Sequence, residues 1–225
     1  MTKLKEAIHL DYVTVKPYFT VKNLLIFSVV ALFLTTMSDN ISSGIGVGLM
    51  IATLFVSYPF VLCEKSNLDA LYTTLSVKRK TVVQGRYVFT LLLNICAVLF
   101  SFILATAGLL IAKAAGFSTG IGGEGYLEST LLLSAIFILI QCIQLPIFFK
   151  LGYTKAKVFS ILPFAVMMAG YMAFMTLKNI STGLASFLDK LAGSGLIVPL
   201  LIALIVVIVF ISYGLSVVFY RKREF

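Results

Sequence analysis

Six stretches of nearly unbroken apolar residues, at roughly 23–38, 44–62, 87–112, 129–149, 158–177 and 196–219, constrain this chain more than any other feature. A helix needs about 20 such residues to cross the ~30 Å hydrocarbon core of a bilayer. Lipid offers no hydrogen bonds, so a spanning segment must satisfy its backbone internally, as a helix does. Six runs of this length predict an all-α integral membrane protein with six transmembrane helices. Composition agrees. The chain is 60% hydrophobic and only 12% charged, about half the charge of a soluble domain. That leaves too little polar surface to cover a water-soluble globule. No repeat or second domain interrupts the pattern, so residues 23–225 read as one transmembrane domain preceded by a separate segment, 1–22.

The net charge of +9 would suggest nucleic acid in a soluble protein. Here its placement speaks for topology and no nucleic-acid partner is expected. Lys3, Lys5, Lys16 and Lys22 precede the first run. Lys65, Lys78, Arg79, Lys80 and Arg86 lie between the second and third. Lys150, Lys155 and Lys157 join the fourth to the fifth, and Arg221, Lys222 and Arg223 follow the sixth. Only Lys113, Lys178 and Lys190 fall on the other side, so fifteen of the eighteen basic residues share one face. Positive loops stay inside, which predicts that both termini are cytoplasmic.

Within 1–22, Leu4, Ile8, Tyr12 and Val15 recur at helical spacing between charged residues. The pattern predicts an amphipathic helix on the cytoplasmic membrane surface, ended by Pro17; a frayed polar tail is the plainer alternative. The basic residues run on to Lys22 with no small-residue cleavage site, unlike a secretory signal. Outside the membrane, 116–125 carries five glycines and predicts an irregular loop. Residues 182–191, capped by Ser181, suit a short interfacial helix.

The runs are poor in chemistry. Asp39 sits at the outer end of the first, and no other Asp, Glu, Lys, Arg or His falls inside any of them. Intramembrane charges mark proton and ion pathways, so a proton-coupled carrier is disfavoured. Asn94, Gln141 and Gln144 are the notable polar residues. Gln141 and Gln144 share a helix face before Pro146, and the three either line a translocation path or hydrogen-bond between helices. Gly44, Gly46 and Gly48 favour close helix packing. Cys63, Cys96 and Cys142 are widely spaced and read as small apolar residues. Neither a catalytic constellation nor a metal cluster is present, and no phosphate-binding loop. No catalytic, cofactor or metal residue is expected, and any ATP hydrolysis must occur on another chain.

The longest polar loop is the most informative. Residues 58–87 read YPFVLCEKSNLDALYTTLSVKRKTVVQGRY. Ser66 or Asn67 can cap a helix whose first turn holds Asp69. Leu68, Leu71, Tyr72 and Leu75 then form one apolar face. Such a stripe must lie on headgroups, on its own domain, or in a partner's groove.

The chain resembles the membrane subunits of ABC-2-type exporters, in particular small six-span permeases related to bacterial antimicrobial-peptide and phenol-soluble modulin exporters. The likeness rests on Glu64-Lys65, Leu75-Ser76-Val77 with Lys78-Arg79, and Gly85-Arg86-Tyr87, with Ser76 where those permeases usually carry proline. It implies that 1–22 is an interfacial elbow helix and that the loop helix is a cytoplasmic coupling helix. Glu64, Lys65, Leu68, Asp69, Leu71, Tyr72, Leu75 and Arg79 would then contact a separate ABC ATPase subunit, which binds ATP and magnesium. A second permease subunit, identical or related, and an amphipathic peptide cargo complete the expectation, in a bacterial plasma membrane. The alternative is a non-transporting immunity or scaffold protein that binds a peptide or membrane partner.

Overall fold

In a computed structural model the described residues are 2–38, 40–66, 78–116, 126–161, 165, 169 and 197–222. They are helical almost throughout: α1 (Thr2–Val15), α2 (Val21–Ser38), α3 (Ile41–Lys65), α4 (Arg79–Ala114), α5 (Tyr126–Ala156) and α6 (Ile197–Lys222). Short 3-10 turns, Lys16–Tyr18 and Lys157–Ser160, follow α1 and α5. Helices α2 to α6 are each long and apolar enough to cross a membrane. They coincide with five of the six expected runs. The remaining run, the fifth at 158–177, lies mostly outside the described residues, and 67–77, Asp39 and 182–191 lie wholly outside them.

Helix α3 is the centre. It packs on α1, α2, α4 and α5, while α6 closes the far side against α4 and α5. In α3, 61% of the most apolar window is buried, against 11% in α2 and in α6, so the outer helices turn most of their apolar surface outward. Asn40 starts α3 by accepting the Ser42 amide on its side chain at 2.9 Å. Helix α4 ends at Gly116, whose φ of 75° suits only a residue without a Cβ.

Small residues let α2, α3 and α4 approach closely. A Cβ on Gly44 would strike the Thr35 hydroxyl and come within 3.0 Å of Ala105 Cβ. One on Gly48 would overlap Ser101, and one on Gly108 would sit 3.2 Å from Thr35 Cβ. This is the small-residue packing that replaces the hydrophobic effect between helices in lipid. Gly46 faces α5 instead, 3.6 Å from Leu133.

Two expectations change. The sequence pattern starts the third apolar run at 87 and leaves Arg86 in a loop, yet α4 begins at Arg79 and runs 36 residues. At 1.5 Å per residue that is about 54 Å, far more than the hydrocarbon core. The extra turns are helical because Val82, Val83 and Gly85 are buried, Gly85 against Ala7 of α1. Arg86 is therefore an ionisable residue inside a helix, only 4% exposed. In α1 the face turned to the protein is Ala7, Asp11 and Val15, while Tyr12, assigned to the apolar face, is 48% exposed.

Candidate functional site

The C-terminal ends of α3, α5 and α6 meet the N-terminal end of α4 on one side of the bundle. The contacts fix this arrangement. Phe60 of α3 meets Phe149 of α5, Phe149 meets Tyr220 of α6, and Arg79 of α4 reaches the end of α6. Lys65, Arg79, Lys80, Lys150, Lys155, Arg221 and Lys222 thus gather at one basic end, which also carries α1.

An ion pair and two further charged side chains tie this end together. Arg86 is the hub. It forms an ion pair with Asp11 of α1 at 3.6 Å. Its Nη2 donates to Cys63 Sγ at 2.7 Å and to the Pro59 carbonyl at 3.4 Å, both on α3. Its guanidinium lies 4.0 Å from the centre of the Phe60 ring, with Phe149 of α5 at 5.6 Å. A planar, always-charged group suits this mixture of stacking and hydrogen bonding. Burial pushes the Asp11 carboxyl up to about 6, against the opposing pull of Arg86. One residue from the hub, Tyr87 on α4 bonds the hydroxyls of Ser212 and Ser216 on α6 at 2.6 and 2.9 Å. Ser212 also donates to the Cys142 carbonyl of α5 at 2.6 Å.

The other two charges flank the loop singled out in the sequence. Glu64, at the end of α3, accepts the Thr154 amide and hydroxyl at 2.8 and 2.5 Å. Thr154 follows Gly152, whose φ of 74° and ψ of 172° break the helical course of α5. Glu64 therefore supplies an acceptor for the short turn that restarts there. Arg79, at the start of α4, donates from Nη1 to the Tyr220 and Arg221 carbonyls at 3.2 and 2.8 Å. Those carbonyls end α6, where a cation complements the helix dipole. So the helices on either side of segment 67–77 are fastened at this end, α3 to α5 through Glu64 and α4 to α6 through Arg79. Lys65 is exposed. Leu68, Asp69, Leu71, Tyr72 and Leu75 lie outside the described residues.

Deeper in the bundle, Asn94 and Gln141 exchange reciprocal amide bonds of 2.6 and 3.0 Å. Gln141 gives its second hydrogen to Thr53 at 2.9 Å, and Thr53 donates to the Leu49 carbonyl at 2.8 Å. The network joins α3, α4 and α5. Gln144 is not part of it. Its amide donates to the Phe159 carbonyl at 2.6 Å, and its Oε1 has no hydrogen-bond partner among the described residues. Among those residues no cluster of His, Cys, Asp or Glu could hold a metal.

Sequence reasoning missed the Asp11–Arg86 pair. The signal was present: Asp11 stands one turn from both Ala7 and Val15, and Arg86 stands one turn from Val82, Val83 and Thr90, all on buried faces.

Five long apolar helices, interior polar residues bonded from helix to helix and a basic end define a multi-pass membrane protein. It belongs to the ABC-2 family: the model described as ABC-2 family transporter protein matches residues 8–221. Such chains are membrane components of ABC transporters that carry no ATPase of their own and work with an ABC ATPase. No curated protein and no solved structure matches the chain.

Proposed function

We propose that this chain is the permease subunit of an ATP-driven exporter in the bacterial plasma membrane, working on amphipathic peptides. Two permease subunits, identical or related, line the path, and two ATPase subunits with ATP and magnesium bind at the basic end. That end faces the cytoplasm, with α1 as the interfacial elbow. The parallel course of α5 and α6, with Cys142 beside Ser212 and Phe149 beside Tyr220, supports the six-span reading. Two parallel neighbours need an odd number of crossings between them.

One observation carries the coupling assignment. Glu64 and Arg79 flank the loop and grip α5 and α6. A push on residues 67–77 by a closing ATPase then reaches four spans at once, α3 to α6, as a rigid-body movement. Leu68, Asp69, Leu71, Tyr72 and Leu75 form the docking face, with Lys65 beside it. Asn94, Gln141 and Gln144 are the residues proposed to line the translocation path. The scarcity of charge in the spans suits an amphipathic cargo better than an ion.

The test is co-purification with the cognate ATPase, followed by ATPase activity and peptide efflux from vesicles. The L71D/Y72D variant is expected to lose the complex and the efflux. Retention of both would overturn the coupling assignment. Peptide binding without any ATPase response would favour the immunity or scaffold alternative.

A further inference from the structure

We propose that the chain binds one anionic phospholipid of the leaflet at its basic end, in a groove between α2, α3 and α4 whose mouth is formed by α1. The inference rests on the membrane placement and not on the export reading. The groove measures about 320 Å³, and its walls include Phe19, Phe27, Ile51, Phe55, Leu93 and Phe100. A second cavity, about 410 Å³, adjoins it and shares Phe19, Leu93 and Cys96. This second cavity opens on Lys5, His9 and Tyr12 of α1. Those three residues stand at i, i+4 and i+7, so one helix face presents them together. The two spaces lie side by side against the same three residues, the first apolar and the second carrying Lys5, His9 and Tyr12 in its lining.

The chemistry of the walls selects the occupant. The apolar part offers Ser101 as its single polar side chain. An extended peptide laid there would leave its backbone amides without partners, at several kcal/mol each in lipid, and a peptide helix, about 10 Å across, is far wider than an acyl chain. An acyl chain makes no such demand. At the mouth, Lys5 and the polar edges of His9 and Tyr12 match an anionic phosphodiester, and Glu6, the adjacent acidic residue, does not line the site. A lysine near a membrane surface favours an anionic headgroup by about fivefold. The tail and the headgroup of the lipid are thus recognised by different elements, the tail by α2, α3 and α4 and the headgroup by α1.

The full-length chain in nanodiscs of mixed phosphatidylglycerol and phosphatidylcholine provides the test. Native mass spectrometry is expected to show one retained phosphatidylglycerol per chain. Lys5→Gln should lower that retention about fivefold, and Ala97→Trp, which fills the groove, should abolish it. Equal retention of both lipids or unchanged retention in the variants would overturn the proposal. So would efficient Cys96–Cys96 crosslinking between chains, which would assign the groove to a second copy.

Discussion

Arg86 and Asp11 form a buried pair that a chain can keep only if both members stay. Removing one partner of a buried pair costs about 3–5 kcal/mol, because the other is left charged and dry. Arg86→Met is therefore expected to lower the thermal unfolding temperature in detergent sharply. Asp11→Asn should cost much less, since Arg86 keeps Cys63, the Pro59 carbonyl and the Phe60 ring. The pH dependence follows from Asp11. Its carboxyl is raised from 3.8 to about 6 in the folded chain, so the folded state binds the proton more tightly than the unfolded state. Stability should rise as pH falls from 6 towards 4, and the destabilising charge should be fully present above 6. Unfolding measured across that window should lose this slope in Asp11→Asn; an unchanged slope would refute the assignment. The Asn94–Gln141 pair is a different case. Hydrogen bonds between membrane helices average about 0.6 kcal/mol in double-mutant cycles. The coupling measured with Asn94→Leu and Gln141→Leu should be of that order, well below the loss in Arg86→Met.

Among the elements, α2, α3 and α4 depend on closeness. Gly48→Leu would drive a side chain into Ser101 of α4, and overpacking of this kind costs about 1–3 kcal/mol. Gly48→Ala should cost less, and Ser101→Gly should partly restore it, because the overlap is with the serine side chain. Melting curves of the two singles and the double decide this; no rescue would mean that the helices separate rather than clash. Arg79→Met should remove the hydrogen bonds to the Tyr220 and Arg221 carbonyls and speed hydrogen exchange at the last turn of α6. These elements were legible in the sequence to different degrees. Helices α2 to α6 follow from apolar length, which is the quantity the bilayer itself imposes. The start of α4 does not. A hydropathy window penalises Arg79, Lys80 and Arg86, whereas the fold covers that stretch with α1 and α3. For the same reason Arg86 looked like a loop residue. Glu64 and Arg79 stood out by position beside the loop, but their grip on α5 and α6 did not, because it joins segments far apart in sequence.

At the scale of the whole molecule, the polar interactions are unevenly distributed. The ion pair and the charged caps sit at the basic end, and the amide network and small-residue contacts hold the middle. An ATPase docked at the basic end would therefore meet the part of the fold where helices are linked by directional bonds. The length of α4 has a further consequence. About half of its 54 Å exceeds what the hydrocarbon core needs, so one helix belongs to two solvents. Its inner turns are held by fit against lipid and neighbours, which urea hardly touches. The turn around Val82 and Val83 is held by the expulsion of water, which urea weakens. Moderate urea should thus loosen the basic end while the spans persist, and the protein would unfold in two stages along a single helix.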